Sequence, residues 1–206
     1  MKILLVDDHI LVRQGVRRLL SAIPNCEIWE AATSYDALAL FRQHLPDVVI
    51  LDISLAGASG LEFLKRLRIE KEDAKVLMLS MHAEAIYAAR AIQAGARGYL
   101  SKGASAEELV TAVLAVSEGK RYVERDIATD LAVKQFSGEG DLLERLTLRE
   151  MEILRLLGEG KSLTAIAATL GVAYKTVANA CSLMKSKLAV ERTADLIRMA
   201  LEMRKG

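Results

Sequence analysis

The chain has 206 residues, 52% hydrophobic and 27% charged, with two prolines, two cysteines and a formal net charge of +1. That composition excludes a disordered polyelectrolyte and a disulfide-stapled scaffold, and the length leaves room for one large domain or two small ones. No apolar run approaches the ~18 residues that span a bilayer. The run Ile3–Val6 stops at Asp7 and Asp8, too short for a secretory core, so the expectation is a cytoplasmic protein with reduced thiols at Cys26 and Cys181.

Through residue 120, short aliphatic runs alternate with segments of helical period. The runs 2-KILLV, 27-EIWEA, 48-VVIL, 75-KVLML and 98-GYLS predict strands. Ile10 to Ala22, 34-SYDALALFRQHL, 60-GLEFLKRLR, 85-AIYAARAIQAG and 106-AEELVTAVLAVSEG each gather their apolar residues on one helix face. Five such units predict an α/β domain with a doubly wound five-stranded parallel sheet of flavodoxin-like order 2-1-3-4-5. Residues 121–141 predict a linker, with a short helix from Ile127 to Phe136 followed by 137-SGEGD.

From residue 142 to 206 no strand pattern remains. A capping box, 147-TLRE, opens 148-LREMEILRLLGEG. The segment 163-LTAIAATLG closes at a C-cap glycine, Gly171. Ala173 to Leu188 and 194-ADLIRMALEM complete an all-α, four-helix domain whose second and third helices have helix-turn-helix spacing. From Asp141 onward, eleven Lys and Arg stand against eight acids, giving +3 here and −2 for the rest. That asymmetry permits an anionic partner for this part.

In a doubly wound sheet, functional groups collect at the carboxyl ends of the strands. Here those ends carry Asp7 and Asp8, then Asp52, then Ser80, then Tyr99 and Lys102. Carboxylates brought together from separate strands raise one another's pKa unless a cation joins them, and oxygen ligands of this kind suit Mg²⁺. Capping of a helix needs one acid, not three.

The set VDDH, LD at 51–52, LS at 79–80 and GYLSKGAS at 98–105 resembles the receiver domain of two-component response regulators, over about residues 1–120. The resemblance implies that Asp52 accepts a phosphoryl group from a sensor histidine kinase. It implies Mg²⁺ on Asp7, Asp8, Asp52 and the Ser54 carbonyl, and Lys102 on the phosphoryl oxygens. Ser80 and Tyr99 become the residues that respond, altering the face of the fourth helix, fifth strand and fifth helix. Where the family commonly has Met-Pro after the acceptor, this chain has Leu55 and Ala56, which frees the loop of a fixed φ.

The later segment 146–190 resembles the LuxR-type helix-turn-helix of the NarL/FixJ regulators, through LT…RE, GEGKS, IA…LGV, KTV and KL. Its recognition helix departs from many relatives: Ala173 replaces a Ser N-cap, and Ala178 and Ala180 replace Lys and His. Lys175, Asn179 and Ser182 still share one face, Lys185 continues it, and Lys175, Thr176 and Lys187 suit phosphates. Asn179 suits an adenine edge, while Val177, Leu183, Met184 and Leu188 are expected in the core. So few contacts require a homodimer on double-stranded promoter DNA, with half-sites ~34–36 Å apart. Leu196, Ile197, Met199, Ala200 and Met203 on the last helix supply an apolar surface for it.

The expectation is therefore a phosphorylation-controlled transcription regulator rather than an enzyme. An aspartyl phosphohydrolase would carry D-x-D at the end of strand one, and a flavin site would need a glycine-rich loop there. A regulator working through protein contacts without phosphorylation is the alternative, and it predicts an inert Asp52.

Overall fold

Runs of β-branched and aliphatic residues with no polar alternation make strands only where both faces are covered. In the computed structural model, which describes residues 1–55, 58–81, 85–137 and 145–203, five such runs form parallel strands. They are β1 (Lys2–Val6), β2 (Glu27–Ala31), β3 (Val48–Asp52), β6 (Val76–Ser80) and β7 (Gly98–Ser101). Helices α1 (Ile10–Leu20), α2 (Ser34–His44), α3 (Gly60–Glu70), α4 (Ala85–Gln93) and α5 (Ala106–Ser117) connect or follow them. Ile3, Leu5, Val48, Ile50, Leu77, Leu79 and Leu100 pack with Val16 and Leu20 of α1 and Leu109, Ala112, Val113 and Val116 of α5. Their sequence neighbours Leu4, Val49, Leu51 and Met78 are equally buried, and alternation sends them to the opposite face.

The order β2-β1-β3-β6-β7 is the expected 2-1-3-4-5, but the sheet has a sixth strand. Tyr122–Val123 (β8) pairs parallel with Gly98–Tyr99 of β7, and α6 (Arg125–Ser137) follows at once. Two residues carry no legible period; this strand exists because the edge of β7 accepts it. Gly98 makes the approach possible, since a Cβ there would sit 2.9 Å from the Tyr122 carbonyl oxygen. Residues 121–137, expected as linker, thus build onto the first unit, which runs from Met1 to Ser137. The rest of 137-SGEGD lies outside the described residues. After Asp52, Ser54–Leu55 (β4) and Ala58–Ser59 (β5) form a small antiparallel pair. Leu55 is buried there, and Ala56 lies outside the described residues.

The second unit contains α7 (Leu148–Gly158), α8 (Leu163–Thr169), α9 (Tyr174–Lys187) and α10 (Thr193–Met203). The capping box forms as expected: Thr147 accepts from the Glu150 N–H, and the Glu150 carboxylate accepts from the Thr147 N–H at 2.6 Å. Helix α8 ends at Thr169, two residues before Gly171, whose φ of +63° lets Val172 N–H reach the Ala167 carbonyl at 3.0 Å and Gly171 N–H reach Ala168. Val177, Cys181, Met184 and Leu188 recur at intervals of four, three and four, and all are buried.

Two expectations for this unit fail. Leu183 lies off that stripe and is 57% exposed. Leu196 and Ala200 are buried inside the unit, because α10 crosses α7 at Gly158, where even a Cβ would come within 2.8 Å of the Ala200 Cβ. Buried there, these two side chains hold the domain together and are not themselves available to a second copy. Ile197 and Met199 are half-buried, and the Met203 side chain lies outside the described residues. Among the described residues, no helix is long and apolar enough to cross a membrane.

Candidate functional site

Strands β1 and β3 end side by side, with β7 beyond the intervening β6, and Asp7, Asp8, Asp52 and Lys102 converge at these carboxyl ends. Asp7 and Asp52 are almost fully buried, while Asp8 keeps partial access to solvent. The Lys102 ammonium lies 2.7 Å from Asp7 Oδ2 and 2.7 Å from Asp52 Oδ2. Its own peptide N–H donates to the Ser80 carbonyl at 2.6 Å, which ties β7 to β6 at the site. The Ser54 N–H donates to Asp52 Oδ1 at 3.2 Å, placing Ser54 beside the cluster as expected. Ser80 and Tyr99 are fully buried on neighbouring strands.

Burial pushes the Asp52 carboxyl up to about 6; Lys102 and the Ser54 N–H work against this rise, and Asp7 adds to it. One lysine therefore does not balance the carboxylates. Oxygen atoms of Asp7, Asp8 and Asp52 and a ring nitrogen of His9 all lie within 4.8 Å of one another. Hard carboxylate oxygens in excess of the local positive charge are the donor set a divalent magnesium takes, so the residues fit that ion.

Two further residues, His9 and Arg13, belong to this neighbourhood; the sequence pattern places His9 at the start of the first helix but not against the acids. His9 is the N-cap of α1 without capping through its side chain; its Nδ1 lies 3.0 Å from Asp8 Oδ1 and 3.3 Å from Asp7 Oδ1. Adjacency in 7-DDH was the available signal. Arg13, one turn later, donates to the Asp7 carbonyl at 2.6 Å and reaches Glu30, which no local pattern announces.

In the second unit, α9 exposes Lys175, Thr176, Asn179 and Ser182, as the spacing predicted. Ala173 caps it with no side-chain hydrogen bond. Lys185 is half-buried. Lys187 has another task than the phosphate contact expected of it. Its ammonium donates to both Glu150 oxygens, at 2.8 and 2.7 Å, locking α9 to the capping box of α7. Burial works to raise the Glu150 carboxyl, yet hydrogen bonds from Lys187 and Thr147 outweigh it and hold the group below the usual carboxylate range. Arg149 secures the turn between α8 and α9 by donating to the Leu170 carbonyl at 2.8 Å.

Comparison with known proteins matches residues 3–114 to the response regulator receiver domain, and residues 144–200 to the luxR family of bacterial regulatory proteins. The response regulator UvrY of Escherichia coli K12 is 37% identical over 202 residues, covering 97% of this chain and 93% of its own. The transcriptional activator protein ExaE of Pseudomonas putida is 39% identical over 206 residues, covering 98% and 96%. Among solved structures, RcsB of Salmonella enterica serovar Typhimurium, bound to promoter P1flhDC with a phosphomimetic, superposes with a TM-score of 0.65 at 24% identity, covering 97% of this chain and 98% of that one. That likeness bears on the fold alone.

Proposed function

The chain belongs to the NarL/FixJ two-component response regulators, a receiver domain followed by a LuxR-type DNA-binding domain, and from that premise we propose that phosphorylation of Asp52 controls its binding to promoter DNA. A receiver joined to a helix-turn-helix is a transcription regulator and not an enzyme, and its receiver implies a histidine kinase partner. The observation that carries the proposal is the buried cluster of Asp7, Asp8 and Asp52 around a single lysine.

Asp52 acts as the nucleophile. A P–O bond forms to its carboxylate as the P–N bond to the kinase histidine breaks, and the imidazole leaves with the electron pair. Such transfers need positioning and charge neutralisation more than covalent help. Lys102, already 2.7 Å from Asp52, pairs with the incoming phosphoryl oxygens. Asp7, Asp8, Asp52 and the Ser54 carbonyl would hold Mg²⁺, which when bound supplies the remaining neutralisation. Ser80 then donates its hydroxyl to the phosphoryl group, and Tyr99 shifts with it. The exposed Ile10 and Leu11 at the start of α1, just past the acids, offer the kinase an apolar edge.

On the output side, Asn179 and Ser182 read base edges and Lys175, Thr176 and Lys185 grip the backbone. So small a set requires a dimer. With Leu196 and Ala200 buried, its surface must come from Ile197, Met199 and the exposed Leu201.

Incubation with a small phosphodonor such as acetyl phosphate and Mg²⁺, followed by mass spectrometry, tests the acceptor. One phosphoryl group is expected on the wild type and none on Asp52→Asn. Labelling that survives this substitution, or no labelling at all, would favour a regulator that works through protein contacts alone.

A further inference from the structure

We infer that Glu124 is a positioning residue of the phosphoryl site, and that the β8–α6 segment it anchors carries the state of that site out of the receiver. The inference rests on Asp52 being the phosphoacceptor. It begins with the hydrogen-bond ladder on the outer edge of β7. Tyr122 N–H donates to the Arg97 carbonyl at 3.0 Å, and Glu124 N–H donates to the Tyr99 carbonyl at 3.2 Å. Continuing the ladder would give the Ser101 N–H the Glu124 carbonyl as its acceptor. That carbonyl is committed to the first turn of α6, where the Ala128 N–H takes it at 2.8 Å. The Glu124 carboxylate fills the gap instead: its Oε2 accepts the Ser101 N–H at 2.8 Å.

Ser101, whose N–H Glu124 holds, immediately precedes Lys102. Lys102 is fastened on its far side by Asp7 and Asp52, and through its N–H by Ser80. One carboxylate from the strap and two from the pocket therefore hold adjacent residues, Ser101 and Lys102. Tyr99, whose carbonyl binds Glu124 N–H, is the buried aromatic of the same strand. The strap is held laterally by the Tyr122 hydroxyl, which donates to Glu108 of α5 at 3.1 Å, and by the buried Ile127 of α6, which packs on α4.

A phosphoryl group on Asp52 draws Lys102 outward from the carboxylates and adds roughly −1.5 to −2 charges beside Lys102, the residue next to the Ser101 that Glu124 holds. Both effects bear on Ser101, the residue next to Lys102, and weaken the bond from its N–H to Glu124. Released there, β8 loses the end of a two-residue ladder and α6 its anchor. Since α6 leads in sequence toward the DNA-binding domain, the strap is the first element outside the pocket to register the change.

Hydrogen exchange on the full chain tests this, following peptides that span residues 120–137 with and without Mg²⁺ and beryllofluoride, in wild type, Glu124→Ala and Glu124→Gln. Expected are exchange about tenfold faster in the wild type on beryllofluoride loading, equally fast exchange in Glu124→Ala with or without the mimic, and a restored response in Glu124→Gln, which keeps an acceptor oxygen. The phosphoryl lifetime on Asp52 should also change in Glu124→Ala but not in Glu124→Gln, an effect that a merely structural role would not produce. Exchange in residues 120–137 that ignores beryllofluoride while residues around Asp52 become protected overturns the inference and leaves the acceptor intact. So does a Glu124→Ala protein that behaves as wild type. If no variant loads beryllofluoride, the acceptor reading fails and this inference falls with it.

Discussion

In the proposed function Asp52 combines two properties that pull against each other: the proposed nucleophile must ionise, and its carboxyl sits where ionisation is costly. Burial holds its carboxyl near 6, above the ordinary 3.8, despite Lys102. A carboxyl raised on folding contributes stability that is fully present below its unfolded pKa and is lost as pH rises through its folded value. In EDTA, wild type should therefore lose about 1–2 kcal/mol relative to Asp52→Asn between pH 5 and pH 7.5 in urea unfolding. Mg²⁺ competes for the same oxygens as the proton, so its affinity should rise over that interval. Parallel pH profiles for the two proteins would contradict the account. Lys187 makes the complementary case. Removing it leaves the Glu150 carboxylate buried with less compensation, so Lys187→Ala should cost about 1–3 kcal/mol. It should leave the salt dependence of DNA binding unchanged, whereas Lys175→Ala should lower that slope by about one.

Helix α9 is where the elements test the sequence arguments. Its core stripe, Val177, Cys181, Met184 and Leu188, explains why Met184→Ala should cost ~2–5 kcal/mol and Leu183→Ala well under ~1; chemical denaturation distinguishes them. Ala173 leaves the first turn without a side-chain acceptor, so Ala173→Ser should stabilise the domain by about 0.5–2 kcal/mol in the same assay. Elements with a sustained period were legible to within a few residues, as were the capping box and the turn at Gly171. The acidic cluster was legible too, because a doubly wound sheet leaves its strand ends nowhere else to go. What escaped depends on partners distant in sequence. The ladder that makes 122-YV a strand belongs to β7. Glu150 meets Lys187 across 37 positions. An apolar stripe on α10 does not say whether α7 or a second copy covers it, and Gly158 decided that in favour of α7.

At the scale of the whole molecule, the account joins a pocket in one unit to a DNA-binding helix in the other. The chain between them begins as a strand of the receiver's own sheet. The alanines on α9 leave the output few groups with which to read sequence, which is why the proposed function places control in dimerisation. The most direct test is selection of genomic DNA fragments by the purified full chain, untreated, treated with Mg²⁺ and beryllofluoride, and as Asp52→Asn under the same treatment. The account predicts that treatment enriches fragments bearing two similar half-sites about one helical turn apart, and that Asp52→Asn does not respond. Equal enrichment in all three samples, or none in any, would contradict it.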